Sequence, residues 1–272
     1  MRQILVGAAL AVSVTACGVS TQQEVEMGQQ YSQQINAQLP IIGNTELNRY
    51  VNLIGDSIAR LTSRTDLTQA NAWRFYIVDS KEVNAFAVPG GFIYVNRGLI
   101  ERTQRMDQLA GVLGHEIGHV VRRHSIKQMQ QEQGANMGVT LACVLTSVCD
   151  SGLGQAAIQV GGTAVFAKFS RSDEAEADEE GVRNTIRAGI SPNGIPEMFQ
   201  ILINERATNP SAVESWFATH PLEEDRIADT RKLIATYDPA IVRSLSTDSK
   251  NYQTFKTAVM RLPPSPTPKA AR

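Results

Sequence analysis

The chain has 272 residues, with 26 Lys and Arg against 27 Asp and Glu and a formal net charge of −1. A near-neutral balance without any basic run argues against a nucleic-acid partner. The length suits one large domain or two small ones, with ample residues for a core.

The first sixteen residues are a leader by pattern: Arg2, then the apolar run "ILVGAALAVSV", too short to span a bilayer. Val14-Thr15-Ala16-Cys17 resembles a bacterial lipobox, which makes Cys17 the candidate lipidation site and a lipid the membrane anchor. Removing residues 1–16 deletes Arg2 and takes the charge from −1 to −2. Gly18 is not the aspartate associated with inner-membrane retention, so the expected location is the cell envelope facing the periplasm, at the outer membrane in a Gram-negative source.

Residues 18–38 are Gln-rich and read as a tether merging into a surface helix. In residues 46–62, Leu47, Tyr50, Val51, Ile54, Ile58 and Leu61 recur at helical spacing. "WRFYIVDS" (73–80) reads as a strand, and "NAFAVPGGFIYVN" (84–96) as two more, hinged at Pro89-Gly90-Gly91. Residues 107–124 have no proline and apolar side chains on every side, the pattern of a buried helix. Residues 134–169 read as two small-residue-rich helices joined by a loop bearing Cys143 and Cys149. An oxidising compartment and an even cysteine remainder favour a disulfide between those two. Acidic residues 173–189 read as a helix stopped by Gly189, and two further helices follow. After Leu262, "PPSPTPKAAR" is a disordered tail by composition.

Three of the four histidines fall in "LGHEIGHVVRRHS" (113–125). His115 and His119 are one helical turn apart, about 6 Å along the axis, so one metal ion can reach both. Glu116 stands about 100° round from His115, placed to act as general base on a metal-activated water. This is the H-E-x-x-H pattern of zinc hydrolases. Burying two imidazoles and a carboxylate in an apolar helix is costly unless a metal or partners compensate. Gly111, Gly114 and Gly118 form a smooth stripe beside the metal face, where another helix can bring a third ligand. Metzincins place that ligand six residues after the second histidine, where this chain has Ser125. His124 therefore reads as structural, favoured near a helix C-terminus. Glu174 and Asp178 share a face of the acidic helix. Glu174 can ligate while Asp178 holds the far ring nitrogen of a ligand histidine. From the residues alone, the same run serves equally as a solvated acidic face.

"NAFAVPGGFIYVNRGLI", "HEIGHVVRRHS", "FSRSDEAEAD" and "THPLEEDRIAD", in this order over about residues 75–230, resemble the zinc metallopeptidase family of HtpX and the CAAX prenyl protease (gluzincins). The transmembrane helices of HtpX are not matched, and the resemblance is nearest to the single-domain bacterial lipoprotein branch, the LoiP-like members. It implies one Zn²⁺ per chain held by His115, His119 and Glu174, with Glu116 and His220 catalytic. Asp178 becomes the buried companion of Glu174, and Arg226 a brace for the His220 loop. His220 would either plug the fourth metal position or donate to the oxyanion.

The implied fold is α+β, a mainly helical zincin-like domain with a small β-sheet whose edge strand flanks the site. The expected divisions are 1–16 signal peptide, 17–40 tether and N-terminal helix, 41–240 metallopeptidase domain and 241–272 C-terminal extension. Phe92 to Val95, run out extended after Gly90 and Gly91, is expected to be that edge strand. It would bind extended peptides by β-augmentation through Asn84, Gly91, Phe92, Ile93 and Tyr94. Substrates would then be unfolded or misassembled envelope proteins. The alternative is an envelope chaperone or assembly factor with a mainly structural zinc, against which an intact Glu116 argues. Nothing in the sequence sets an oligomeric state.

Overall fold

The computed structural model describes residues 19–135, 168–221 and 224–266. The leader, the lipidation candidate Cys17 and the Cys143–Cys149 bridge with its two helices lie outside the described residues. Among the described residues, no helix is long and apolar enough to cross a membrane.

Helix α1 (Thr21–Gln38) leads into α2 (Thr45–Ala59) and the short α3 (Thr65–Gln69). Strands β1 (Arg74–Val78), β2 (Ala85–Val88) and β3 (Phe92–Asn96) follow, then α4 (Arg97–Arg102), α5 (Met106–Val121) and α6 (His124–Ala135). The second half is helical: α7 (Arg171–Arg187), α8 (Gly194–Thr208), α9 (Pro210–Thr219), α10 (Glu224–Ala235), α11 (Pro239–Ser244) and α12 (Lys250–Met260). The expected α+β architecture, mainly helical with one small sheet, is what the chain adopts.

The sheet order is β1-β3-β2, with β3 parallel to β1 and antiparallel to β2. The expectation that Phe92 to Val95 form an edge strand is therefore wrong. β3 is the central strand, bonded on both sides, and the edge beside α5 belongs to β2. Both faces of the sheet are covered. Phe75, Ile77, Ala85, Ala87, Ile93 and Val95 join the main core with α2 and α5. Phe86, Val88, Phe92 and Tyr94 pack with Ile35 and Leu39, at the C-terminal end of α1, in a second core. Phe92, Ile93 and Tyr94 thus spend their side chains on packing, and the Tyr94 hydroxyl donates to Ser32 and Asn36 of α1.

The N-terminal helix expected within residues 17–40 is α1, and it packs on the sheet: a Cβ on its Gly28 would lie 2.0 Å from the Pro89 carbonyl oxygen, so its backbone rests on the β2–β3 turn. Its buried Glu24 pairs with Arg64 at 3.1 Å and Arg123 at 3.0 Å. At the other end, Tyr252, Phe255 and Val259 of α12 belong to the main core, so residue 240 is not a boundary of packing. The start of the Pro-rich tail is fixed too, because Arg97 donates to the Leu262 and Pro263 carbonyls.

Residues Asp107 to Val121 of α5 are all buried, as an apolar circumference requires. Helix α7 starts with a capping box: the Ser170 hydroxyl accepts from the Asp173 amide and Asp173 accepts from the Ser170 amide. It then crosses α5 at the glycine stripe. A Cβ on Gly118 would stand 2.6 Å from the Ala177 carbonyl oxygen and 2.9 Å from its Cα.

That contact sets a prediction. Gly118→Ala gains roughly 1 kcal/mol of helix propensity but overpacks against backbone, which costs roughly 1 to 3 kcal/mol. The expected outcome is a lower Tm together with weaker metal binding, read by thermal melts and metal titration of the same variant.

Candidate active site

Helix α5 presents His115, Glu116 and His119, α7 presents Glu174 and Asp178, and the end of α9 presents His220. All six are buried. Nε2 of His115 lies 3.1 Å from Nε2 of His119. Glu174 places Oε2 3.6 Å from His115 Nε2 and Oε1 3.4 Å from His119 Nε2. Tetrahedral zinc with ligands near 2.05 Å has edges of about 3.3 Å, so these three separations fit a single ion. His220 completes a group of four whose ligand atoms all lie within 4.8 Å of one another.

The hydrogen-bond pattern agrees. Glu174 Oε1, both Glu116 carboxylate oxygens and His220 Nε2 are buried without a partner, a costly state for polar atoms unless something else engages them. Glu174 and His220 belong to the four-residue group, and Glu116 Oε1 lies 3.4 Å from His220 Nε2. Arg226 pairs with Glu174 and Asp178, so three buried carboxylates, Glu116 among them, stand against one guanidinium, and a divalent cation would balance the remainder when they are ionised. The residues present fit a metal.

Burial governs the protonation of the group. It pushes the Glu116 carboxyl well above the usual carboxylate range, and the neighbouring Glu174 charge pushes the same way. Burial likewise raises Glu174 to about 7, opposed by His220 and Arg226. It lowers His115, His119 and His220 well below an ordinary histidine, which keeps their lone pairs free for ligation.

The surrounding shell is specific. Asp178 Oδ1 lies 2.9 Å from Nδ1 of His115, the partnership expected from the sequence. Arg226 donates to both Asp178 oxygens at 2.8 and 2.9 Å, to Glu174 Oε2, and to the Pro221 carbonyl at 3.1 Å. It therefore braces the loop after His220 and the Glu174 carboxylate together. His220 sits with Nε2 3.4 Å from Glu116 Oε1 and Nδ1 2.9 Å from the Thr219 hydroxyl. Of the residues expected to bind substrate, Asn84 precedes β2 and has a buried, unpartnered Oδ1, whereas Gly91, Phe92, Ile93 and Tyr94 belong to the central strand and its turn.

Sequence reasoning missed two aromatic walls and one contact. Phe169 stacks on His119 at 3.9 Å, Trp216 stacks on His220 at 4.6 Å, and His124 Nδ1 reaches Nδ1 of His119 at 2.9 Å. The walls could have been suspected, since Phe169 opens "FSRSDEAEAD" and Trp216 lies four residues before His220.

The chain matches Peptidase family M48 over residues 46–234. It is 30% identical over 233 residues to the beta-barrel assembly-enhancing protease of Escherichia coli O157:H7, covering 83% of this chain and 47% of that one. It is 31% identical over 158 residues to metalloprotease YcaL of Escherichia coli K12, 58% of this chain and 60% of that one. To metalloprotease LoiP of the same strain it is 33% identical over 156 residues, 56% and 59% of the two. The chain spans about half the length of the assembly-enhancing proteases it matches.

The ligand geometry predicts that His115→Ala and Glu174→Ala abolish stoichiometric metal binding while Glu116→Gln retains about one ion per chain. Metal analysis after dialysis decides it, and a Glu174→Ala protein with full metal content would remove Glu174 from the ligand set.

Proposed function

The chain belongs to peptidase family M48, and from that premise we propose that it is a zinc endopeptidase of the cell envelope that hydrolyses unfolded or misassembled proteins. The observation carrying this reading is the unpartnered, buried Glu116 carboxylate beside three converging ligand atoms. A purely structural metal site has no need of such a base. His115, His119 and Glu174 would hold the ion, which would supply the Lewis acidity that makes water nucleophilic at neutral pH and polarises a scissile carbonyl.

Glu116 takes the proton of the attacking water. A carboxyl whose proton affinity burial has raised keeps that proton long enough to pass it to the leaving amine. His220 donates from Nε2 to the developing oxyanion. In that role the Thr219 hydroxyl donates to Nδ1, so that Nε2 carries the hydrogen.

The β2 edge receives the substrate. Asn96 N–H donates to the Asn84 carbonyl at 2.9 Å. By antiparallel alternation Phe86 and Val88 also bond toward β3, which turns the N–H and C=O of Ala85 and Ala87 to the other edge, unpaired with any strand among the described residues. The Ala87 backbone lies beside the Glu116 carboxylate. An extended chain added to this edge puts its peptide bonds at the base, through main-chain bonds that accept many sequences. Folded proteins cannot present such a strand. The envelope location is supported by the lipobox-like Val14–Cys17 and by the name of the assembly-enhancing relatives.

Cleavage of one envelope protein in native and denatured forms tests the substrate class. Wild type should degrade the denatured form selectively, Glu116→Gln should bind zinc and cleave neither, and equal rates on both forms would defeat the edge-strand reading. For His220→Ala, kcat should fall by about a hundredfold with zinc retained. A rise in activity would instead make His220 a plug.

A further inference from the structure

His124 is the histidine that this chemistry leaves unused, yet it is wholly buried. Its Nδ1 lies 2.9 Å from Nδ1 of His119. Its Nε2 faces the other way, 3.5 Å from a carboxylate oxygen of Asp173 and 3.5 Å from one of Glu176. On an unbroken helix, a residue five positions beyond His119 would stand about 140° away round the axis and about 7.5 Å further along, out of reach of that ring. The contact exists because α5 stops at Val121 and Arg123 adopts a left-handed φ of +57°. The turn starts α6 in a new direction with His124 as its first residue. Such a backbone persists outside glycine only where its surroundings enforce it, and here the Arg123 guanidinium is held by Glu24 and by the Val19 carbonyl.

We propose that His124 is a positioning residue that fixes the tautomer and ring orientation of His119. The donors and acceptors permit one arrangement. His119 directs Nε2 at His115 and Glu174, so the metal takes that lone pair and the ring hydrogen sits on Nδ1. Nδ1–H then donates to Nδ1 of His124, which must be the bare nitrogen. The hydrogen of His124 is left on Nε2, directed at Asp173 and Glu176. Phe169, stacked on the His119 ring, restricts its rotation. The two ligand histidines are therefore held differently, His115 by the carboxylate of Asp178 and His119 by a neutral imidazole. The inference rests on the metal reading of His119.

Zinc dissociation constants from chelator competition on the full chain test it, with His124→Gln, His124→Leu and His124→Ala beside wild type and a Tm for each zinc-free protein. Glutamine keeps both ends of the contact, since its oxygen accepts from His119 and its amide donates to the carboxylates. Leucine fills the space and does neither. His124→Leu and His124→Ala should weaken zinc binding about 10- to 100-fold, while His124→Gln stays close to wild type. Wild-type affinity in the leucine variant, or a glutamine variant no better than leucine, overturns the proposal. If leucine prevents folding, the alanine and glutamine variants decide. A wild-type chain that binds no zinc would instead bring down the metal reading itself.

Discussion

The site depends on the close approach of α5 and α7. A ligand carboxylate can reach two imidazoles on a neighbouring helix only if the two backbones nearly touch, and the position that permits it is Gly118 against Ala177. Gly114 continues the seam, with room for a Cβ only at 3.2 Å from Thr185 and 3.4 Å from the Gly181 Cα. Glycines inside a buried helix lower its intrinsic stability. They are tolerated because the seam brings Glu174 and Asp178 to the two histidines.

Bringing these groups together creates an electrostatic demand that the rest of the shell answers. Ionised carboxylates in a dry interior require compensation. Arg226 supplies part of it, itself buried and held in its charged form by Asp178 and Glu174 against the cost of burial. Its guanidinium also lies 4.5 Å over the Phe199 ring, so the charge is packed as well as paired. The negative charge that Arg226 leaves uncompensated is what a divalent ion would balance.

Part of the candidate site was legible in the sequence, because helical spacing turns directly into geometry: His115, Glu116 and His119 occupy one turn. Spacing puts Glu174 and Asp178 on one face of another helix but reads equally as a solvated acidic face, and it is the family resemblance that singles out Glu174. Strand order did not follow. Strands β2 and β3 are buried at every residue, with α1 on one face and α2 and α5 on the other, and a strand buried on both faces carries no alternation to tell edge from centre. The packing of α1 on the sheet was hard to read for a related reason: beside Ile35 it uses Gly28, Ser32 and Glu24, residue types that score as polar or neutral. The role of His124 was hidden by a helix break at Arg122–Arg123 that no proline or glycine announces.

The sheet correction changes the mechanism's geometry more than its chemistry. With β3 inside the sheet, β2 is an edge strand among the described residues, and its Ala87 backbone lies beside Glu116. The position of β2 is not set by the sheet alone. The β2–β3 turn carries Gly90 and Gly91 at φ of +79° and +94°, and a Cβ on Gly90 would stand 2.8 Å from the Glu24 carbonyl oxygen. Glu24 in turn pairs with Arg64, which donates to the Val120 carbonyl at the end of α5, and with Arg123 at the left-handed turn. One buried carboxylate on α1 thus ties the hairpin, the end of the metal-binding helix and the turn that presents His124. The Gln-rich segment that looks like a spacer in the sequence is, by these contacts, part of the frame that holds β2 against the site.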